Sequence, residues 1–153
     1  LGLFEEAINL WNRFLSFAPD ATIAYFNKGF ALMNLQRYTE ALDSSRRALE
    51  LDPGHKEAAY NYGTCELYVG DPQRALTAIG PIAAQHPEYP LLQALLAILC
   101  LATDSRAAGQ KLVHELEKNG CGINGYIQER AVVLKTLHRS DIAGRIMRNL
   151  TGV

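Results

Sequence analysis

Histidines and cysteines are the side chains of this sequence best suited to metal binding or catalysis. They are scattered along the chain as His55, His86, His114, His138, Cys65, Cys100 and Cys121. Metal sites and nucleophilic pairs need such residues at short, defined spacings, and the cysteines form no Cys-x-x-Cys pair. We therefore expect structural or solvent-exposed histidines, no metal site and no cofactor.

Cys121 is the one cysteine whose surroundings suggest reactivity. It lies in "KNGCGINGY", residues 118–126, with Lys118 as its basic neighbour. Thiol reactivity needs a nearby cation or helix N-terminus. Gly120 and Gly122 are typical of a helix end, so we interpret the segment as a connection between helices, with Cys121 in the place of the repeat's proline. The odd, widely spaced set of cysteines predicts free thiols in a reducing compartment, and hence a cytoplasmic protein.

Charge and hydropathy exclude several classes of partner. Fifteen Lys and Arg residues balance 16 Asp and Glu residues, giving a net charge of -1. Such a balance does not favour nucleic acid. The longest apolar run, residues 91–102, is shorter than the roughly 18–20 residues that cross a bilayer. We expect no nucleic-acid binding, no membrane insertion and no enzyme activity. Leu1 is not an initiator methionine, which indicates a fragment or a processed chain.

Small residues recur along the chain with a period of 34. One column holds Ala7, Ala41, Ala75, Gly109 and Ala143, a second holds Gly29, Gly63, Ala97 and Ala131, and a third holds Pro19, Pro53 and Pro87. A period of this size is typical of stacked repeats, in which no unit buries its apolar face alone.

Each unit contains the pattern of two helices. First helices are predicted over 22–35, 56–69, 90–102 and 124–137, and second helices over 38–51, 72–85, 105–118 and 140–150. Gly70, Asp71 and Pro72 mark one boundary as C-cap, N-cap and first helical residue. Small residues in the two columns let paired helices approach closely. Pro81, inside a second helix, predicts a kink or split near residue 80.

The stretches "TIAYFNKGFALMNLQRYTEALDSSRRALELDPGH" and "KEAAYNYGTCELYVGDPQRALTAIGPIAAQHP" resemble the tetratricopeptide repeat family. The resemblance implies an all-α, right-handed α-solenoid of stacked antiparallel helix pairs. It predicts one domain over 1–153, with a half repeat in 1–19 and repeats over about 22–55, 56–89, 90–122 and 123–153.

In that family the first helices line a concave groove that holds peptides or a partner helix. The resemblance therefore implies a partner-binding groove that contains Phe26, Asn27, Phe30, Tyr60, Asn61, Thr64, Tyr68, Leu95 and Ile98. Some relatives clamp a C-terminal carboxylate with lysine, asparagine and arginine. The equivalent positions here are Phe26, Phe30, Leu91 and Leu95, and only Asn61 fits, so we do not expect that clamp.

Two interpretations of the apolar segment 91–102 remain open. In the first, neighbouring repeats cover the segment. In the second, Leu91, Leu95 and Ile98 face a hydrophobic groove that would bind a partner helix or another copy of this chain. Two functions also remain: a non-catalytic module that binds an apolar or amphipathic peptide, or an architectural or dimerising segment of a larger protein, such as a bacterial transferase. Ile8, Trp11, Phe14 and Leu15 lack a partner helix, which suggests a covering segment or a homodimer.

Overall fold

The computed structural model describes residues 2–152, and all secondary structure in that range is helical. The helices are α1 Gly2–Phe17, α2 Thr22–Asn34, α3 Tyr38–Leu51, α4 Lys56–Val69, α5 Pro72–Gln85, α6 Pro90–Ala102, α7 Arg106–Lys118, α8 Ile123–Thr136 and α9 Ser140–Thr151. These spans agree with the predicted ones to within a residue at each end. The predicted all-α solenoid of helix pairs is confirmed.

The small columns lie where neighbouring helices approach each other closely. A Cβ at Gly63 would lie 2.9 Å from Leu95 Cδ2, and one at Gly109 would lie 3.0 Å from the backbone nitrogen of Leu101. Ala41 and Ala75 are completely buried. A larger side chain in these columns would push helices apart, which explains the recurrence of glycine and alanine.

The last helix pair departs from the regular stack. In the earlier units each second helix packs closely against the first helix of the next unit, as α3 does against α4, but α7 and α8 touch only sparsely. Instead α9 packs on α6: Asn149 Nδ2 donates to the Leu101 carbonyl at 2.8 Å, and Arg145 donates to the Ala102 carbonyl at 3.2 Å. Gly120 and Gly122, both at positive φ, connect α7 to this displaced pair.

Helix α6 is covered by its neighbours on almost every side. Leu95 and Ile98 have no exposed surface, and the exposed residues of α6 are Pro90 and Leu91 at its start. The prediction that Leu95 and Ile98 are exposed in a groove is therefore wrong. The displaced α9 adds a covering layer that a simple continuation of the repeat pattern does not include.

Pro81 does not split its helix. Helix α5 continues from Pro72 to Gln85, so the predicted split does not occur. The carbonyl of Thr77, which Pro81 cannot bond, belongs to an exposed residue, and Pro81 itself is exposed. Water can therefore satisfy that carbonyl, and the cost of the missing hydrogen bond stays small.

Candidate functional site

A pocket of about 220 Å³ lies where α2, α4 and α8 converge. We call it the groove pocket; its lining residues are Phe30, Met33, Asn34, Tyr38, Tyr60, Asn61, Tyr68 and Arg130. The first three come from α2, Tyr38 begins α3, the next three come from α4, and Arg130 comes from α8. Side chains from units far apart in sequence thus share one site.

Arg130 is the centre of the groove pocket. Its Nη1 donates to the Tyr68 hydroxyl at 2.7 Å and its Nη2 to the Tyr60 hydroxyl at 3.0 Å. The guanidinium carbon lies 4.7 Å from the Tyr126 ring centroid and 5.9 Å from that of Tyr68. Such cation–π contacts and fork-shaped hydrogen bonding hold an arginine in a defined orientation.

Tyr68, Tyr126 and Tyr38, which lie near Arg130, are neutral. Burial raises the pKa of Tyr68 to about 12, and burial also raises the pKa of Tyr126 and of Tyr38. These hydroxyls therefore remain protonated near pH 7 and do not compensate the guanidinium charge. Among residues 2–152, no carboxylate forms an ion pair with Arg130.

Buried polar atoms of the site lack partners within the described chain. They are Asn61 Nδ2 and Arg130 Nε, together with Thr64 Oγ1 on the same helix as Asn61. Asn61 is only 3% exposed although it lines the pocket. An unpaired buried polar group costs free energy, so these atoms mark where a ligand could restore hydrogen bonds.

The structure brings some of the predicted groove residues together and separates others. Phe30, Tyr60, Asn61 and Tyr68 line the groove pocket. Phe26 and Asn27 are half-buried on α2, and the Phe26 ring packs on His55 with centroids 5.1 Å apart. Thr64 is buried on α4 and does not line the pocket, and Leu95 and Ile98 belong to the core.

Sequence reasoning missed Arg130. In the 34-residue register it occupies the column of Tyr62, whose hydroxyl donates to the buried carboxylate of Glu66. Its position depends on how α8 packs over α4, fixed also by Arg139, which donates to the Tyr68 and Gly70 carbonyls at 3.2 and 2.9 Å. No short-range signal in the sequence predicts that placement.

Glu66 is a second charged residue that the sequence did not single out. It is completely buried, and its carboxylate accepts from the Tyr62 hydroxyl at 3.0 Å and the Asp71 amide at 2.8 Å. Arg74 Nε lies 3.4 Å away. A Cβ at Gly70 would clash directly with this carboxylate. Glu66 therefore has a structural role at the turn between α4 and α5.

The histidines and cysteines are dispersed. His55 caps α4 by accepting from the Ala58 amide at 3.3 Å, while Cys65 and Cys100 are buried and Cys121 is exposed. Within residues 2–152, no cluster of three or more potential metal ligands occurs. In the same range, no helix has the length and apolar character needed to cross a membrane.

The outer face of α1 is strongly apolar. Leu10 is 61% and Phe17 87% exposed, and Leu3 and Phe14 are also exposed. Ala7, Leu10, Trp11 and Phe14 line a shallow pocket of about 330 Å³ on this face. Ile8, predicted to share it, instead points into the core. Exposed apolar patches are typical of surfaces that another segment or another chain covers.

Paired helices, small residues at the crossings and a side-chain-lined groove define this chain as a helical-repeat solenoid. Two family models described as tetratricopeptide repeat match residues 32–99 and 1–56. The chain belongs to the tetratricopeptide repeat family. Repeats of this family form protein-interaction scaffolds, and that is the general role of this chain.

Individual relatives match only part of the chain. Mouse sperm-associated antigen 1 is 34% identical over 96 residues, which is 63% of this chain and 10% of that protein. Human tetratricopeptide repeat protein 28 is 36% identical over 87 residues, or 57% of this chain and 4% of that protein. The chain thus spans a tenth or less of these two relatives.

The fold extends over almost the whole chain in one solved structure. The crystal structure of MamA superposes with a TM-score of 0.74 and 17% identity, covering 99% of this chain and 88% of that one. At this low identity the likeness concerns the fold alone. It includes the region after residue 99, which the two family models do not reach.

Proposed function

We propose that this chain is a non-catalytic module that binds an apolar or amphipathic peptide or helix across the groove between α2 and α4. The observation that carries the proposal is Phe30, a large apolar side chain that is 51% exposed at the rim of the groove pocket. Exposed aromatic residues beside a concave site are typical anchors for a partner.

The neighbouring side chains suit such a peptide. Phe26 and Met33 extend the apolar surface along α2, and both are half-buried. Asn27 offers an amide for backbone hydrogen bonds, which add affinity with little demand on sequence. The free cysteines fit a reducing compartment, so the proposal includes a cytoplasmic location.

A pull-down from source-cell lysate tests the proposal. Phe30→Ala and Phe26→Ala should reduce capture of a specific partner, since each removes apolar contact area. Arg46→Ala on α3 is the control, because Arg46 is exposed and its ion pair within residues 2–152 is with Asp43 of its own helix. Loss of capture in Arg46→Ala, with retention in both phenylalanine variants, would place the partner outside the groove.

The apolar face of α1 favours a second candidate function, in which the chain dimerises or supports another domain of a larger protein, such as a bacterial transferase. Sedimentation velocity should show concentration-dependent association that Leu10→Asp and Phe17→Asp abolish, because each places a charge on the exposed face. Asn9→Asp, at an exposed polar position of α1, is the control. A concentration-independent monomer would exclude self-association through this face.

A further inference from the structure

We propose that the groove pocket binds an oxyanion, a carboxylate or phosphate group, with Arg130 and Asn61 as its main recognition residues. The proposal rests on the proposed function only in that a bound peptide would present this group. Asn61 is the one residue that fits the family's clamp, but the cation here is Arg130 of the fourth unit, so the site differs from that clamp.

Charge is the first argument. Arg130 is partly buried among neutral tyrosine hydroxyls, and none of the residues that line the pocket is acidic. A guanidinium is always charged at physiological pH, and its fork matches the two oxygens of a carboxylate or phosphate. A positive charge without a counterion in a partly buried pocket favours an anionic ligand.

The balance of donors and acceptors is the second argument. The Tyr68 and Tyr60 oxygens accept from Arg130, so their own hydrogens point elsewhere. Tyr60 and Tyr126 share one hydrogen bond of 2.9 Å, which uses one of their two hydroxyl hydrogens. The Tyr68 hydrogen and one hydrogen of that pair therefore lack acceptors within the described chain.

Asn61 and Arg130 add to this excess of hydrogen-bond donors over acceptors. Both the Asn61 amide nitrogen and Arg130 Nε are buried donors without partners among residues 2–152. A site with surplus donors is completed by a group that only accepts hydrogen bonds, as an ionised oxyanion does. Across the pocket, Phe30 and Met33 form an apolar wall, which suits the aliphatic part of a side chain that carries the anion.

Heteronuclear NMR of the intact chain tests the pocket without any partner. We expect the Arg130 Nε–H resonance, assigned by its loss in Arg130→Lys, to shift saturably on titration with sodium acetate or sodium phosphate. Sodium chloride at matched ionic strength should not shift it, and the Arg46 resonance in the same spectra serves as an internal control. Acetate saturating at lower concentration identifies a carboxylate site, and phosphate doing so identifies a phosphate site.

Two variants link the shift to the proposed residues. Asn61→Ala and Tyr68→Phe, which keep Arg130, should each weaken anion binding by about threefold to tenfold, since each removes one donor to a charged acceptor. Equal shifts with chloride, or no saturable shift with either oxyanion, would overturn the proposal. If the chain binds the anion but captures no partner in the groove, the anion site would be supported and the proposed peptide-binding function would be refuted.

Discussion

Arg130 on α8 and Tyr68 on α4 are 62 positions apart in sequence and are joined by a hydrogen bond of 2.7 Å. The bond spans from the fourth unit to the second and passes over the third. Together with Tyr60 and Arg139 it holds α8 against α4. The groove pocket therefore exists only while the last helix pair keeps its displaced position.

Weakening this contact should loosen α8. We expect Tyr68→Phe to lower the free energy of unfolding by about 1–2 kcal/mol, because Arg130 loses its shortest acceptor. Amide hydrogen exchange should accelerate in α8 before it does in α2 and α3. Thr39→Ala, at an exposed position of α3, is the control. Unchanged exchange in α8 would show that other contacts hold the helix.

The glycines at helix crossings provide a matched test of close packing. Gly109→Ala should destabilise the chain by about 1–3 kcal/mol, because its Cβ would meet the backbone of Leu101, which cannot move aside. Gly125→Ala should be neutral or stabilising by about 0.5–1 kcal/mol, since no atom outside its own helix and chain neighbours lies within 4 Å of its Cβ. Thermal melts showing equal losses in the two variants would refute the role of close approach.

The larger substitution Gly63→Leu extends this test to the second unit. A leucine there would collide with Leu95 and Ile79, and overpacking of this kind costs about 1–3 kcal/mol. Glu57→Leu, near the start of the same helix, should be tolerated because Glu57 is only half-buried. Urea denaturation of both variants measures the difference.

Glu66 should be essential for the turn between α4 and α5. Glu66→Ala leaves the Tyr62 hydroxyl and the Asp71 amide without their acceptor, so we expect a loss of about 2–4 kcal/mol. Glu50→Ala, which breaks an exposed pair with Arg47, should cost less than about 1 kcal/mol. Equal effects in chemical denaturation would contradict a structural role for Glu66.

Stability should decline at alkaline pH because of two buried tyrosines. Burial, with the hydrogen bond to Glu66, raises the pKa of Tyr62 to about 12, and burial raises that of Tyr68 to about 12. A tyrosine in the unfolded chain titrates near about 10. The unfolded state therefore loses these protons first, and the free energy of unfolding should fall as pH rises from about 10 to 12.

Denaturation curves across this pH range, with tyrosinate absorbance as a second readout, measure the effect. Tyr62→Phe should flatten part of the decline, since phenylalanine has no proton to lose. A free energy of unfolding that stays constant between pH 10 and 12 in the wild type would show that these tyrosines are readily ionised in the folded chain.

The sequence predicted the helices well because their boundaries are local. Asp71, for example, caps α5 as expected, with its side chain accepting from the Gln73 amide at 2.9 Å. The path of α8 and α9 could not be predicted in this way. It depends on the left-handed residues Gly120 and Gly122 and on long-range contacts of α8 with α4.

The candidate site was predicted only in part for the same reason. The resemblance to the family placed Phe30, Tyr60, Asn61 and Tyr68 in the groove, whereas the position of Arg130 depends on the displaced last pair. Leu95 is a core residue because it packs against Gly63 of α4, a contact between units that the groove prediction did not include. The division of residues 1–153 into one half repeat and four repeats stays a prediction, as does the binding role of the predicted groove residues.

A linear stack of repeats unfolds like a one-dimensional chain of coupled segments, because each unit contacts only its neighbours. The bond between α8 and α4 couples the stability of units two and four, which are not neighbours in the stack. Units two, three and four are therefore each coupled to both of the others. Neither unit two nor unit four can open without disturbing the other. We therefore expect α4 and α8 to melt as one cooperative block, while α1 at the opposite end frays independently.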